Sequence, residues 1–130
     1  MRQTTTLTDL RTVAVSVTDQ ERALSFYVDT LGFEKRIDAR IGDGLRWIEV
    51  APPGAGASIA LSPASATSPA GVDSGIRLTT ADVDGEHERM RGRGVSTDVV
   101  LRRPDLPAMF IFRDVDGNTL YVVEAERGQP

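Results

Sequence analysis

Residues 12–33 read TVAVSVTDQERALSFYVDTLGF, and this stretch decides the fold. In its first six residues, TVAVSV, every second residue is a valine, so all three valines lie on one side of an extended chain. This two-residue period is typical of a half-buried strand. Thr18 and Glu21 have the spacing of a capping box, so a helix is expected to begin at Thr18. Apolar residues follow at helical spacing, and Gly32 predicts a left-handed cap that ends the helix near Leu31.

Three more strands are predicted in the first half of the chain, at residues 33–41, 45–51 and 57–62. The Gly42-Asp43-Gly44 sequence predicts a tight hairpin turn between the first two of them. Residues 63–73 are rich in Pro, Ala and Ser and lack any periodicity. They are therefore predicted to form a linker.

The same order of elements returns after the linker, at a shift of 63 residues. Under this shift Val13 corresponds to Ile76, and Gly94 ends the second helix as Gly32 ends the first. The remaining strands are predicted at residues 95–101, 108–112 and 119–123. We therefore predict one domain, residues 1–130, made of two βαβββ modules at about 10–62 and 74–125, which the linker 63–73 joins.

The composition excludes several classes of protein. The chain has 130 residues and a net charge of -4, from 15 Lys and Arg against 19 Asp and Glu, so nothing favours nucleic-acid binding. It has no Cys and one His, which excludes disulfides, thiolate chemistry and the usual multi-histidine metal sites. No apolar run approaches the ~18 residues that span a bilayer, and no signal segment is visible, so a cytoplasmic location without membrane contact is expected.

Two motifs resemble one known family. Residues 17–27 (VTDQERALSFY), which lead into Leu31-Gly32-Phe33, and residues 112–118 (FRDVDGN) are similar to the vicinal oxygen chelate superfamily. This superfamily includes glyoxalase I, fosfomycin-resistance enzymes, extradiol dioxygenases and bleomycin-binding resistance proteins. The resemblance, over roughly residues 10–124, implies an α+β fold whose two modules form a curled eight-stranded mixed sheet around a cleft, in a homodimer. The alternative fold is an α+β ferredoxin-like dimer, which is disfavoured because it would not need a capped helix repeated after 63 residues.

The resemblance also implies where a metal would lie. Enzymes of the superfamily carry it on the first and fourth strands of each module, and these positions fall on Thr12, Ala60, Gly75 and Tyr121. None of the four is a usual ligand of a divalent metal, and Tyr121 is only marginal. Because a Lewis acid needs three or four fixed protein donors, we expect neither a metal nor another cofactor.

The side of each strand opposite to its apolar residues is expected to line the cleft. The candidate ligand-binding residues on that side are Thr12, Ser16, Trp47, Glu49, Arg77 and Tyr121. Trp47 could stack on a planar ligand or fill the core. Arg77 could hold an anion or pair with Glu49, and Tyr121 could donate a hydrogen bond. His87 is expected to pack on the second helix, away from the cleft.

The leading prediction is a metal-independent protein that binds a small organic molecule, a drug or a metabolite, without converting it. The alternative is a metal-independent isomerase or lyase in which Glu49 is the base and Tyr121 or Arg77 polarises a carbonyl. That alternative requires burial to raise the pKa of Glu49. A metal-dependent glyoxalase or dioxygenase is disfavoured by the missing ligands, and nothing favours a scaffold or sensory dimer. The expected partners are the ligand and a second copy of the chain.

Overall fold

A computed structural model describes residues 4–125 and shows that each module has its own sheet. The first module comprises β1 (Thr12–Val17), α1 (Gln20–Ser25), β2 (Glu34–Arg40), β3 (Arg46–Ala51) and β4 (Ser58–Pro63). Helix α1 continues into one π-helical turn at Phe26–Thr30. The strand order is β1-β4-β3-β2, in which β1 runs parallel to β4 and the other pairs are antiparallel.

The second module repeats this arrangement. It comprises β5 (Asp73–Thr80), α2 (Val83–Gly92), β6 (Ser96–Thr97), β7 (Leu101–Arg103), β8 (Leu106–Arg113) and β9 (Thr119–Glu124). The strand order is β5-β9-β8-β6, and β7 also pairs with β8. Strand β5 is parallel to β9, as β1 is to β4.

The α+β fold and the repeated module are confirmed, with two differences. The strands form two hydrogen-bonded sheets within one chain rather than one continuous eight-stranded sheet. The strand predicted at residues 95–101 is split into β6 and β7. Asp98 lies between the two pieces, where its side chain accepts two hydrogen bonds from Arg113 and its carbonyl contacts His87. The Asp98 N–H still donates to the Ile111 carbonyl at 2.8 Å, whereas the Asp98 carbonyl contacts His87, and regular strand pairing stops at this point.

The first helix begins one residue later than the capping box predicts. Asp19 is its N-cap, and the Asp19 side chain accepts a hydrogen bond from the backbone N–H of Arg22 at 3.2 Å. The Thr18 hydroxyl and backbone N–H both donate to Asp116 instead. The predicted helix end is confirmed, because Gly32 has a φ of +82°.

One apolar core joins both modules. Helix α1 packs on β3 and β4, and α2 packs on β6, β8 and β9. The core's fully buried large side chains are Val17, Tyr27, Ile48, Val50, Leu61, Val83, Phe110, Phe112 and Leu120. Val13 was expected on this packed side, but it is 38% exposed, because it lines a groove between the modules. Within residues 4–125 no helix is long and apolar enough to cross a membrane.

A polar network, buried at Tyr27, Asp114 and Asn118, joins one module to the other. Its members are Ser16, Thr18 and Tyr27 of the first module and Asp114, Asp116 and Asn118 of the second. Tyr27 donates to Asp114 at 2.7 Å, and the Asn118 amide donates to the Ser16 carbonyl at 2.8 Å. We call this set the inter-module network. Helix α1 packs on one face of the first sheet and α2 on one face of the second, and we call the opposite face of each sheet its open face.

Candidate functional site

The open face of the first sheet carries Trp47 and Glu49. Ile48 and Val50, which alternate with them on β3, are buried in the core. Because side chains alternate along a strand, Trp47 and Glu49 point to the face that α1 does not cover. This confirms the side of the strand on which the sequence places them.

Glu49 is a buried carboxylate with three donors around it. It is 4% exposed, and its Oε1 accepts a hydrogen bond from the Ser58 hydroxyl at 2.6 Å. Its Oε2 accepts from the Trp47 indole N–H at 2.7 Å and lies 3.5 Å from the Arg11 guanidinium. We call Arg11, Trp47, Glu49 and Ser58 the Glu49 cluster. A buried charge needs such partners, and here each carboxylate oxygen has at least one.

These contacts shift the pKa of Glu49. The hydrogen bond from Ser58 lowers the pKa of Glu49 below its ordinary value, and the Trp47 bond and Arg11 act in the same direction. Burial raises it but does not outweigh them. A general base near neutral pH needs the opposite shift. These contacts therefore do not provide the raised pKa at Glu49 that the isomerase or lyase alternative requires.

The two predicted hydroxyls on β1 are both engaged in hydrogen bonds. Thr12 donates to the carbonyl of Ser58 at 3.2 Å, next to the Glu49 cluster. Ser16 is 9% exposed, and its hydroxyl is 2.8 Å from that of Ser68. Thr12 therefore borders the cluster, whereas Ser16 holds the segment that follows β4.

A second cluster lies on the open face of the second sheet. The Tyr121 hydroxyl donates to Asp73 Oδ2 at 2.6 Å, and the Arg77 guanidinium lies 4.4 Å from the Tyr121 ring centroid. Arg77 also donates to the Gly75 carbonyl at 2.8 Å. The hydrogen bond to Asp73 raises the pKa of the Tyr121 phenol, so Tyr121 is neutral at physiological pH. We call Asp73, Arg77 and Tyr121 the Tyr121 cluster.

The structure thus groups the predicted residues into two clusters on two sheets. Glu49 pairs with Arg11, and Arg77 stacks on Tyr121, so the considered pair between Arg77 and Glu49 does not form. Arg11 and Asp73 belong to these clusters although no sequence pattern identifies them as members. Asp73 was assigned to the linker, and its contact with Tyr121 depends on the bulge at Gly75, where φ is +71° and the register of β5 on β9 shifts.

His87 lies where the sequence places it. It is half-buried on α2, and its ring contacts the edge of Phe110 at a centroid distance of 4.9 Å. Its Nε2 is 2.9 Å from the carbonyl oxygen of Asp98. The residue packs the helix on β8 and lies in neither cluster.

Comparison with known proteins identifies the family. Residues 10–122 match the model of the Glyoxalase/Bleomycin resistance protein/Dioxygenase superfamily. The chain belongs to this superfamily. It is similar to TnmS3, an antibiotic binding protein from Streptomyces sp. CB03234, with 34% identity and a TM-score of 0.85 over 95% of this chain and 100% of that one.

Two further superfamily relatives extend this likeness. A superfamily member from Sphaerobacter thermophilus is 34% identical, with a TM-score of 0.86 over 92% of this chain and 98% of that one. The protein YetH of Bacillus subtilis is 31% identical over 87% of this chain and 95% of its own length. The family resemblance drawn from the two motifs is confirmed.

The positions that hold metal in superfamily enzymes do not fit a metal here. Ala60 and Gly75 have no side-chain donor atom. The Thr12 hydroxyl is bound to a carbonyl, and Tyr121 is a neutral phenol bound to Asp73. Among residues 4–125 no group of three or more His, Cys, Asp or Glu side chains is arranged to hold a metal ion. A site of three or four donors cannot be built from the four family positions.

The chain also has a largely apolar groove, and Ser58 is the one member of the two clusters among its lining residues. It has a volume of ≈ 390 Å³ and is lined by Val13, Ile59, Ile76 and Leu78 and by the turn that begins at Pro52. None of the six predicted ligand-binding residues lines it. The groove lies at the junction of the modules, whereas the two clusters lie on the open faces of the sheets.

Proposed function

We propose that this protein binds a small organic molecule on the open faces of its sheets, without a metal ion and without converting it. The observation that carries the proposal is the chemistry of the four family positions, where two side chains have no donor atom and two are engaged in hydrogen bonds. The lowered pKa makes the hydrogen-bonded Glu49 carboxylate a weak base, and the Tyr121 phenol is neutral. What they retain is the capacity to orient a ligand.

The likeness to TnmS3 supports the same function. That protein is an antibiotic binding protein, and the two chains align over almost their whole lengths. The shared fold alone does not determine function, since superfamily members differ in chemistry. Combined with the unfit metal positions, it favours sequestration of a drug or a drug-like metabolite over catalysis.

A second copy of the chain is proposed to complete the pocket. Within the described residues β1 pairs only with β4 and β5 only with β9, so both strands leave one edge free. Val99 is 73% exposed and Leu101 44% exposed, near the open face of the second sheet. Free strand edges and exposed apolar residues are typical of surfaces that another chain covers. In a homodimer, the second copy would cover the free strand edges and the exposed apolar residues.

The test is a binding experiment in which the ligand is recovered afterwards. A panel of antibiotics is titrated into tag-free protein by calorimetry, and each bound compound is released by denaturation and analysed by mass spectrometry. We expect at least one compound to bind stoichiometrically and to return with unchanged mass. Asp38→Asn is the control, because the Asp38 carboxylate pairs with Arg46 and Lys35 and belongs to neither cluster. Conversion of a compound by the wild type and by Asp38→Asn, but not by Glu49→Gln, would contradict the proposal and restore the enzyme alternative.

A further inference from the structure

We propose that the ligand of this protein contains a planar aromatic ring, which stacks on Trp47, and that Glu49 is the positioning residue that fixes the indole. This inference rests on the proposed function, because it names the class of ligand that the open face of the first sheet takes. It follows from what each atom of the Glu49 cluster does.

The polar atom of Trp47 is already used within the cluster. Its indole N–H donates to Glu49 at 2.7 Å, so Trp47 has no further hydrogen-bond donor to offer a ligand. The ring is half-buried and is the only Trp in the chain. A half-buried indole whose N–H is satisfied recognises a ligand through its ring surface, that is by stacking and dispersion.

Glu49 orients the indole ring through its hydrogen bond and is itself held in place. The carboxylate is itself fixed by Ser58 on the neighbouring strand β4, at 2.6 Å, and is buried. A charged hydrogen bond to a buried carboxylate is short and directional. The orientation of the indole is therefore set before any ligand arrives, which reduces the entropy cost of binding.

A small residue and a cation belong to the surroundings of the indole. Ala39 is the β2 residue directly opposite Trp47, and it is small and exposed. Arg11 contacts Glu49 while its own side chain is 74% exposed. A ring on Trp47 that carries an anionic group would therefore find a solvent-facing guanidinium at the rim.

The second sheet has a corresponding arrangement around Tyr121. The Tyr121 hydroxyl donates a hydrogen bond to the carboxylate of Asp73, as the Trp47 N–H donates one to Glu49. The Tyr121 ring already carries the guanidinium of Arg77 on its face. In both modules the polar atom of an aromatic side chain is thus hydrogen-bonded within the protein. Of these two rings, only Tyr121 has a guanidinium on its face among the described contacts, and the Trp47 ring has none.

The experiment compares two probes of matched shape and charge. 2-Naphthoate and decahydro-2-naphthoate share a carboxylate and a fused two-ring skeleton, but only the first is aromatic and planar. We expect calorimetry on the full chain to give about ten-fold tighter binding of 2-naphthoate. Trp47→Leu should abolish this preference. Glu49→Gln should reduce it and lower the fluorescence anisotropy of Trp47, whereas Asp38→Asn should leave both unchanged.

The outcomes separate the two proposals. Equal affinity for the two probes, or a preference that survives Trp47→Leu, would overturn stacking while leaving small-molecule binding in place. Binding of neither probe, together with no antibiotic bound in the panel, would overturn both. An unchanged preference and anisotropy in Glu49→Gln would overturn the positioning role alone, and circular dichroism establishes that each variant is folded.

Discussion

The Tyr27 hydroxyl donates a hydrogen bond of 2.7 Å to Asp114 Oδ2, and the bond joins the helical segment of the first module to the last hairpin turn of the second. Tyr27 is fully buried and Asp114 is 6% exposed. The same carboxylate accepts from the Asn118 amide and from two backbone N–H groups. The relative position of the two modules therefore depends on a few buried polar atoms.

Replacement of Tyr27 by Phe should destabilise the protein by about 1–3 kcal/mol, because it leaves a buried carboxylate without one of its donors. Urea unfolding measures the change. Tyr121→Phe is the matched control, since it removes the same atom from a bond to the exposed Asp73. Its cost should stay below about 1 kcal/mol. Equal losses in the two variants would show that burial of the acceptor does not matter.

Alkaline pH should destabilise the protein through Tyr27. Burial, followed by the charge and hydrogen bond of Asp114, raises the pKa of Tyr27 far above its ordinary value. The unfolded chain loses this proton near pH 10, whereas the folded chain keeps it. The stability that Tyr27 contributes is therefore complete below about pH 10 and declines as the pH rises further.

The absorbance of phenolate at 295 nm tests this directly. The chain has two tyrosines, so in Tyr121→Phe the signal belongs to Tyr27 alone. We expect it to rise only together with the loss of circular dichroism. A gradual rise near pH 10 in the folded protein would show that the Tyr27 hydroxyl is free.

Acid pH should act on the Glu49 cluster with the opposite sign. The pKa of Glu49 is lowered, first by the Ser58 hydrogen bond, so its contribution to stability is present above its ordinary pKa and is lost as the pH falls through the lowered value. Trp47 is the only Trp and hydrogen-bonds to Glu49, so its fluorescence should report this protonation. A transition below about pH 4.3, absent in Glu49→Gln, is expected. A midpoint above that value would contradict the described contacts.

Asn118 should tolerate neither Ala nor Asp. It is 1% exposed, its amide donates to Ser16 and Asp114, and its carbonyl accepts from the N–H groups of Gly71 and Val72. Loss of these bonds in Asn118→Ala should cost about 2–4 kcal/mol in urea unfolding. Asn118→Asp keeps the acceptor but places a second carboxylate beside Asp114.

The two Asn118 variants differ in their response to pH. Repulsion between two buried carboxylates is relieved by protonation, so Asn118→Asp should recover part of its lost stability on acidification from pH 7 to pH 5. Asn118→Ala should show no such recovery. The same pH response in both variants would show that residue 118 does not face Asp114 as described.

The sequence was sufficient for the features that depend on neighbours along the chain. Alternating valines predict β1, and the left-handed φ of Gly32 follows from its position after the helix. The N-cap was wrong because Thr18 and Asp19 are both good caps. The partner that recruits Thr18, Asp116, lies 98 residues further along the chain. No local pattern reveals such a contact.

The candidate site divides in the same way. The two-residue period of β3 placed Trp47 and Glu49 on the open face. The burial of Ile48 and Val50 agrees with this prediction. It could not choose the cation that pairs with Glu49, since the distance between Arg77 and Glu49 depends on how two separate sheets are placed. The binding roles of Thr12, Ser16, Trp47, Glu49, Arg77 and Tyr121 stay predictions that the experiments above address.

Native mass spectrometry of tag-free protein tests the central claim, binding without a metal, most directly. The protein is purified gently, divided, exposed to two equivalents of Zn²⁺, Ni²⁺ or Mn²⁺, desalted and measured beside an untreated sample. We predict a dimer that retains no stoichiometric metal in any sample and that carries, when untreated, an organic mass of a few hundred daltons. One tightly retained metal ion per chain would contradict the account, because Thr12, Ala60, Gly75 and Tyr121 offer no site for it.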